Sequence, residues 1–400
     1  MTHSVRLKWL LTESDLRAGS EAETLPLLSV SISRGVRRRE TSDTATRAAS
    51  EDLSNYKLCR AGDLVINRMR AFQGALGIAP EDGVVSPDYA VLRVDSRVDK
   101  RWLNYFLTSG FTVATMASLV RGIGGTEAGN VRTPRLNVND LFSMTVPRVS
   151  TEDQRAIADY LDREITRIDT LIEEQQRLIE MLRERREATI RSALLSGLDD
   201  ADTKPSGVEL LGAVPKHWQM VPTRYLCTIT TGSEDSGNAT EDGEYPFYVR
   251  GREVLRIDHY SFDGEAVMTP GDGQGGTGKV FHYVDGKFEA HQRVYVFTDF
   301  TEVTGWYFYY FLSTFLRPVA LAGSNTVTME SLRRPLLADF KVAVPPLNEQ
   351  QRITAYLDEQ TEKIDMLIAE AEQLIELARE RRSALITAAV TGQIDVRELV

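Results

Sequence analysis

One segment of this sequence occurs twice, and this duplication constrains the fold more than any other feature. Residues 154–187 read QRAIADYLDREITRIDTLIEEQQRLIEMLRERRE, and residues 350–383 read QQRITAYLDEQTEKIDMLIAEAEQLIELARERRS. Half of the aligned positions are identical at a constant offset of 196 residues, and no gap is needed. Apolar residues recur in both copies every three or four positions, with charged residues between them, which is typical of a long amphipathic helix. The sequence therefore predicts two long helices of the same kind.

The ends of both predicted helices carry suitable capping residues. Ser150 or Thr151 can cap the first helix at its N-terminus, and Asn348 can cap the second. Gly197 and Gly392 are placed to end the two helices. Each helix then has about 45 residues and a length on the order of 65 Å. A narrow apolar stripe of this length is not stable alone in water, so we expect a coiled coil of the two copies rather than two separate surface helices.

The segments that precede the two helices are also related, although more loosely. Each contains short strands, glycine-rich turns and one short amphipathic helix, which indicates an α+β globule. The corresponding segments are FSMTVP at 142–147 with FKVAVP at 340–345, residues 61–79 with 263–281, 86–94 with 289–297, and 101–109 with 305–313. The predicted organisation is a first globule at 1–145, a central helix at 146–204, a second globule at 205–343 and a C-terminal helix at 344–400.

The run GDGQGGTGKV at 271–280 resembles a phosphate-binding P-loop, because Gly273, Gly278 and Lys279 have the spacing of that motif. Val280, however, stands where the motif needs a Ser or Thr hydroxyl for Mg²⁺. The following VFHYV predicts a strand instead of the helix that would complete an anion site. The same position in the first globule holds NRMRAFQGAL at 67–76. We therefore interpret both segments as diverged loops on a shared scaffold and not as nucleotide sites.

Composition restricts the remaining classes of protein. With 42% hydrophobic and 26% charged residues, and no apolar run near the length of a membrane span, the chain has the composition of a globular protein. Cys59 and Cys227 are isolated, which fits a reducing cytoplasm, and five scattered His lack metal-ligand spacing, so we expect no metal site. The net charge of −11 is unevenly distributed, because residues 1–145 carry 19 basic and 16 acidic side chains. Overall acidity therefore does not exclude DNA, which responds to a local basic face.

This architecture resembles the specificity subunit of type I restriction–modification systems, over essentially the whole chain. The resemblance rests on the helix openings VPRVSTEDQRAIADYLD at 146–162 and VPPLNEQQRITAYLD at 344–358, the I-D-x-L-I runs at 168–172 and 364–368, and VPKHWQMVPTRYL at 214–226. The first globule begins at HSVRLKWLL without the P-x-x-W lead of the second globule. We expect the C-terminal TGQIDVREL to complete the entry of the first globule.

The resemblance implies an α+β fold with two target-recognition domains, joined by two long helices that form an antiparallel coiled coil with pseudo-twofold symmetry. It implies a non-catalytic chain, in which each domain reads one half of a split site in double-stranded DNA and the coiled coil sets the gap. The implied partners are two methyltransferase subunits and the restriction–translocase subunits. S-adenosylmethionine, ATP and Mg²⁺ would serve those partners, and this chain itself would bind no cofactor. The alternative is a coiled-coil scaffold that binds only proteins.

For a DNA-reading role, phosphates require Arg or Lys, and base edges are bound by Arg, Asn or Gln. The candidate DNA-binding residues of the first globule are Arg34, Arg37, Arg38, Asn67, Arg68, Arg70, Gln73, Arg121 and Arg132. Those of the second globule are Arg250, Arg252, Gln274, Lys279, Arg293 and Arg333. The candidates in the two aligned loops rank highest, because these loops diverge on the shared scaffold.

Three arginine positions are identical in the two helices and give six arginines in total. Their repetition favours the docking of partner subunits or salt bridges between helices. They are Arg183, Arg185, Arg186, Arg379, Arg381 and Arg382. The aromatic residues Trp102, Phe106 and Trp306 are predicted to belong to the cores of the globules.

Overall fold

The computed structural model describes residues 4–32, 34–39, 53–120, 135–272, 278–322 and 332–398. Its α-helices within these ranges are α1 (Lys100–Thr108), α2 (Gly110–Leu119), α3 (Val138–Ser143), α4 (Thr151–Ser196), α5 (Gly305–Ala322), α6 (Arg334–Asp339) and α7 (Leu347–Thr391). The long helices α4 and α7 contain 46 and 45 residues, as the duplicated segment predicts. Every helix in the described ranges is either too short or too polar to span a lipid bilayer.

Short strands make up the rest of each globule. Those of the first globule are β1 (Ser4–Arg6), β2 (Leu11–Ser14), β3 (Leu28–Ser31), β4 (Gly35–Arg38), β5 (Lys57–Cys59), β6 (Leu64–Asn67), β7 (Leu76–Ile78), β8 (Gly83–Val85), β9 (Tyr89–Val94) and β10 (Thr145–Pro147). Those of the second are β11 (Thr203–Pro205), β12 (Ala213–Pro215), β13 (Gln219–Pro222), β14 (Thr228–Thr231), β15 (Tyr245–Tyr248), β16 (Val254–Ile257), β17 (Phe262–Pro270), β18 (His282–Ala290), β19 (Val294–Thr298) and β20 (Lys341–Val344). The predicted α+β class is confirmed.

The chain divides into two compact units, and the division passes through both long helices. The first unit consists of Met1–Gln176 together with Gln373–Val400, and the second unit is Arg177–Glu372. Each unit therefore combines one globule with one part of α4 and one part of α7. The helices are thus shared between the units and are not a separate domain.

The parts of α4 and α7 pack antiparallel in each unit. In the second unit, Arg186 Nε lies 3.0 Å from Asp365 Oδ1, so the later part of α4 meets the earlier part of α7. In the first unit, Arg382 Nε lies 3.1 Å from Asp169 Oδ1, so the earlier part of α4 meets the later part of α7. This arrangement is the antiparallel helix pair expected from the duplicated apolar stripes.

A four-stranded antiparallel sheet recurs in both units with the same topology. Its order is β2-β9-β6-β7 in the first unit and β14-β19-β17-β18 in the second. In the second unit, β15 pairs in parallel with β18 and, with β16, extends the sheet to six strands. In the first unit, β3 pairs with β4 and β5 with β8 as separate ribbons. The two globules therefore share a sheet and differ at its edge.

The core of each unit lies between this sheet and the helix pair. In the first unit, Trp102 and Phe106 of α1 pack with Leu161 of α4 and Ile386 of α7. Both aromatic residues are almost fully buried, as predicted. Each such side chain stabilises the fold by about 1.5–3 kcal/mol relative to an exposed position. Trp306 differs from the prediction, since it is only partly buried and its indole N–H is hydrogen-bonded at the helix surface.

The two globules receive their entry segments from different parts of the chain. In the second unit, the lead segment buries Trp218 completely, and its Nε1 donates to Glu349 Oε1 at 3.0 Å. In the first unit, Val396 is 4% exposed and joins the core, with Ile394 packed against it. The expectation that the C-terminal segment packs onto the first globule is therefore confirmed.

The helix N-termini agree only in part with the predicted caps. Ser150 Oγ accepts a hydrogen bond from Asp153 N at 3.1 Å and donates to the Asp153 carboxylate at 2.8 Å, so Ser150 caps α4. Asn348 is not the N-cap residue, because α7 already begins at Leu347, but its Oδ1 accepts a hydrogen bond from Glu349 N at 3.0 Å. The carbonyl of Pro346 accepts the first hydrogen bonds of that helix instead. Pro346 has no amide of its own, so one N–H fewer needs a partner at this helix end.

Both long helices end at the predicted glycines. Gly197 has a φ of 72° and Gly392 has a φ of 75°, immediately after the last helical residue. Side chains other than glycine rarely adopt this left-handed conformation, which terminates the helix without strain in glycine.

Two equivalent backbone hydrogen bonds correct the alignment of the loops. Leu136 N donates to Arg68 O at 2.9 Å, and Leu332 N donates to Gly271 O at 2.7 Å. Arg68 therefore corresponds to Gly271, whereas the alignment of 61–79 with 263–281 pairs it with Pro270 and is wrong by one residue. These strand ends are buried on both faces, so they lack the alternation of apolar and polar residues that would reveal a one-residue slip.

The described end of the P-loop-like run leads into a strand. Residues 278 and 279 form the end of the turn, and β18 follows at His282. No helix begins within the described residues after Lys279 until α5. The interpretation of this run as a diverged loop is supported by this geometry, although Gly273 lies outside the described residues.

Each unit contains one buried cysteine, Cys59 in the first and Cys227 in the second. Burial raises the pKa of Cys59 to about 11 and that of Cys227 to about 12. Relative to a free thiol, the thiolate fraction at pH 8 falls by a factor on the order of 200 or more. We therefore predict that neither thiol reacts appreciably with an aromatic disulfide reagent at pH 8 until its unit unfolds. A stopped-flow absorbance trace checks this, and fast labelling of either cysteine in the folded chain would contradict it.

Candidate nucleic-acid interface

A glutamine near the start of each long helix fixes the globule to that helix. In the second unit, Gln350 Oε1 accepts from Thr304 N at 2.9 Å, and its Nε2 donates to two backbone carbonyls. In the first unit, Gln154 Oε1 accepts from Asp99 N at 2.8 Å. Asp99 and Thr304 are thus equivalent, which shifts the alignment of 101–109 with 305–313 by one residue.

A repeated aspartate makes the second anchor between globule and helix. Asp358 accepts hydrogen bonds from Tyr310 OH at 2.7 Å and from Trp306 Nε1 at 3.0 Å. Asp162 accepts from Tyr105 OH at 2.6 Å in the same way. Burial, followed by the nearby carboxylate, raises the pKa of both tyrosines well above the usual range. The two phenols are therefore neutral donors at physiological pH, and they join α1 to α4 and α5 to α7.

The second unit contains a cleft of about 830 Å³ between its globule and its helices, which we call the second cleft. Its polar and aromatic lining comprises Arg183, Arg186, Glu187, Arg252, Lys279, His282, Tyr309, Tyr310, Ser313 and Thr314. Arg252 and Lys279 are exposed, and neither has a carboxylate partner among the described residues. Burial lowers the pKa of His282, so this imidazole is neutral at pH 7 and adds no charge. The structure thus brings two predicted DNA-binding residues to one basic surface.

The first unit contains an equivalent cleft of about 660 Å³, which we call the first cleft. Its polar lining includes Arg34, Gln73, Lys100, Arg101, Asn104, Tyr105, Asp162 and Arg382. The predicted residues Arg34 and Gln73 therefore lie together, whereas Lys100 was not predicted. Lys100 lies across Gly62, where an added Cβ would approach its Nζ to 2.0 Å, so the glycine makes room for this ammonium group.

A second group of predicted residues in the first unit lies at the ends of β6 and β9. Arg68 is partly buried, and its Nε donates to the Leu136 carbonyl at 3.2 Å. Burial and the nearby Arg135 lower the pKa of Arg68. Arg70 is exposed and close enough to Tyr89 to act on its phenol electrostatically. Replacing Arg68 would therefore disturb local packing as well as any contact with a ligand.

The corresponding position in the second unit is organised around one carboxylate, Asp272. Arg293 Nη1 donates to Asp272 Oδ2 at 3.0 Å, and Arg250 Nη1 lies 3.8 Å from Asp272 Oδ1. Both predicted arginines remain about half exposed, so a phosphate could replace or supplement the carboxylate. The structure places them at a strand end, outside the second cleft.

The remaining candidates are dispersed. Arg38 forms a bidentate pair with Glu81, with Nε to Oε1 at 2.6 Å, and Arg37 is partly buried on the same strand. Asn67 Oδ1 accepts from Met69 N at 3.2 Å and so shapes its own turn. Arg333 is an exposed residue that precedes α6. The candidates that lie outside the described residues are Arg121, Arg132 and Gln274.

The six repeated helix arginines divide into pairs with different surroundings. Arg186 and Arg382 each pair with an aspartate of the other helix and line a cleft. Arg183 pairs with Glu372 across the helices, and Arg379 pairs with Glu376 one turn away in its own helix. The remaining pair, Arg185 and Arg381, is exposed and has no carboxylate partner among the described residues.

Sequence reasoning missed Lys100 and Asn104, which lie on α1. The alignment of 101–109 with 305–313 includes Asn104, but nothing in a short helix shows that its exposed face closes a cleft against a second helix from a distant part of the chain. The repeat of Arg186 as Arg382 was the available signal, because an arginine that is identical in both copies marks a shared environment. Among the described residues, no group of three or more His, Cys, Asp or Glu is placed to hold a metal ion.

The comparisons with known proteins agree with this geometry. The family model described as the type I restriction modification DNA specificity domain matches residues 215–377. The type I restriction enzyme EcoDI specificity subunit of Escherichia coli is 30% identical over 183 residues, which is 46% of this chain and 40% of that protein. The chain thus spans well under half the length of this curated relative in the alignment.

Solved structures extend the likeness to almost the whole chain. One, reported as the structural basis underlying complex assembly and conformational transition of the type I R-M system, has a TM-score of 0.75 at 16% identity and covers 98% of both chains. The HsdS subunit from Thermoanaerobacter tengcongensis has a TM-score of 0.56 at 15% identity, covering 98% of this chain and 97% of that chain. At this identity the likeness establishes the fold.

Two related α+β units, each with a cleft lined by arginine and lysine side chains, make up the described chain. Residues 215–377 match the type I restriction modification DNA specificity domain, and the chain shares the fold of the HsdS subunit, in agreement with the resemblance seen in the sequence motifs.

Proposed function

We propose that this chain is the DNA sequence-specificity subunit of a type I restriction–modification complex and that each globule reads one half of a bipartite DNA site. The observation that carries the proposal is the recurrence of one basic cleft in both units, with different side chains on the globule side. Arg252 and Lys279 line the second cleft, whereas Arg34 and Gln73 line the first. A shared scaffold with diverged contact residues is what the recognition of two unlike half-sites requires.

The chemistry of the clefts is suited to double-stranded DNA. Arginine and lysine side chains without carboxylate partners can neutralise phosphates and release counterions, which gives affinity without sequence information. Gln73, Asn104 and the arginines can in addition bind base edges, for which amides prefer adenine and arginine prefers guanine. The antiparallel helices would act as the spacer that sets the gap between the two half-sites.

The chain itself would be non-catalytic and would bind no cofactor. Methyltransferase subunits using S-adenosylmethionine and restriction–translocase subunits using ATP and Mg²⁺ would dock on the helices, and the complex would work in the cytoplasm. The exposed arginines Arg185 and Arg381 are suitable contacts for such partners, because they leave the clefts free for DNA.

Methylome sequencing tests the proposal directly. We expect adenine methylation at a split motif in a host that expresses this chain with its candidate methyltransferase, and loss of that methylation when this chain alone is deleted. Methylation that is unchanged by the deletion, with no bipartite motif, would instead support a scaffold that binds only proteins. The same experiment identifies the recognised bases.

A further inference from the structure

Arg186 and Arg382 occupy equivalent positions in the duplicated helices. Each contacts an aspartate of the other helix and also lines the cleft of its own unit. The Nε side of Arg186 contacts Asp365, and the Nε side of Arg382 contacts Asp169, at 3.0 and 3.1 Å. Both side chains are about 40% exposed, and each lines the cleft of its own unit. A structural salt bridge alone does not require this exposure toward a cleft.

A guanidinium group can bind an aspartate and a second acceptor in the cleft at the same time, because it carries five N–H donors in a planar fork. Asp365 accepts a hydrogen bond from Arg186 Nε, which fixes the plane of the fork and leaves the Nη donors for another acceptor. Arg382 Nε lies 3.1 Å from Asp169 Oδ1 as an ion pair without hydrogen-bond geometry, so its Nη donors are likewise left for another acceptor. The pKa values of Tyr310 and Tyr105 are affected electrostatically by Arg186 and Arg382, respectively, so each arginine charge reaches the cleft wall. The interhelical ion pair thus holds the arginine ready for a second anion.

The charge balance of the clefts also favours an anion. In the second cleft, Glu187 is the one carboxylate in the lining, against four cationic side chains. In the first cleft, the Asp162 carboxylate is engaged by Tyr105 and Arg101, while Arg34 and Lys100 have no carboxylate partner among the described residues. Each cleft therefore presents an excess of positive charge that comes from the globule and from the helix together.

We infer that Arg186 and Arg382 bind DNA phosphates, one in each unit, so that the helix pair contributes to the DNA surface and is not only a spacer or a docking surface. This inference rests on the proposed function and deepens it, since it assigns helix residues to the same interface. The inference divides the repeated arginines by function. Arg186 and Arg382 bind DNA, whereas the exposed Arg185 and Arg381 remain available to protein partners.

The test uses the purified full-length chain and a fluorescently labelled mixed-sequence DNA duplex, with affinity measured by anisotropy between about 50 and 200 mM salt. The double variant R186Q/R382Q removes two phosphate contacts. We expect the slope of log K against log salt to decrease in magnitude by about 1.8 and the affinity to fall by about 10- to 100-fold at the lowest salt. The matched control R185Q/R381Q removes the same charge from adjacent helix positions and should keep the wild-type slope.

A second pair of substitutions separates phosphate binding from a purely structural role. D365N/D169N breaks the same interhelical ion pairs but keeps both arginines, and we expect it to keep the wild-type slope. The inference is overturned if R186Q/R382Q behaves like R185Q/R381Q, or if D365N/D169N reproduces the loss. A wild-type chain that binds no duplex at all would overturn the proposed function itself, which is a different result.

Discussion

Replacing Gln350 with alanine is expected to destabilise the second unit by about 3 kcal/mol. Gln350 is fully buried, and its Nε2 donates to the carbonyls of Pro345 and Glu302, both at 2.8 Å. Its Oε1 accepts from Thr304 N at 2.9 Å. Truncation leaves three backbone groups without a partner, at a cost of about 1–3 kcal/mol for each one that water cannot reach. Glu302 is exposed, so its carbonyl can be hydrated and the total stays below the full sum.

The buried cysteines allow this effect to be measured separately in each unit. Labelling of Cys227 in increasing urea reports opening of the second unit, and labelling of Cys59 reports the first. In Gln350→Ala, we expect the Cys227 transition to move to lower urea by much more than the Cys59 transition. The adjacent Gln351 is exposed, so Gln351→Ala is the matched control and should change stability by less than about 0.5 kcal/mol. Equal transitions in the two variants would show that the glutamine anchor is not important.

Reversing two charges in the second cleft should have the largest effect on DNA binding. Each phosphate contact is worth about tenfold in affinity at ~50 mM salt, and a glutamate in place of a cation adds repulsion. We therefore expect Arg252→Glu with Lys279→Glu to weaken duplex binding by more than about 100-fold. The expected loss decreases as salt is raised, because the contacts are electrostatic.

The control for this variant reverses two charges of the same globule outside the cleft. Lys216 and Lys341 are exposed, and Lys216 forms only a surface pair with Asp202. Such a pair contributes at most about 1 kcal/mol. Anisotropy with the same duplex should show a much smaller decrease for Lys216→Glu with Lys341→Glu. Equal losses in both double variants would show that net charge, rather than the cleft, governs binding.

The long helices could be predicted from sequence because their signal is regular and occurs twice. An apolar stripe repeated without a gap over 154–187 and 350–383 leaves little freedom in type or register. The sheets could be recognised but not aligned, since strands such as β6 and the end of β17 are buried on both faces and show no alternation. The alignment became clear from equivalent hydrogen bonds, such as those that the amides of Asp99 and Thr304 donate to Gln154 and Gln350. Such contacts cannot be read from the sequence.

The candidate site could be predicted only in part, because it is assembled from distant segments. Arg252 and Lys279 are separated in sequence but line one cleft. Conversely, Arg38 looked available in its arginine run, yet its partner Glu81 lies 43 residues away. Composition identifies cations, but it does not show which of them already have a carboxylate partner.

The passage of the unit boundary through both helices determines the order in which the chain can mature on the ribosome. The second unit is complete once Glu372 has been synthesised, whereas the first also needs Gln373–Val400. The core of the first unit includes Ile386 and Val396 from that last segment. The globule that is translated first therefore keeps apolar surface exposed until Gln373–Val400 has been synthesised, and the one translated second can fold before it. We expect the two units to become complete in the reverse of the order in which their globules are made.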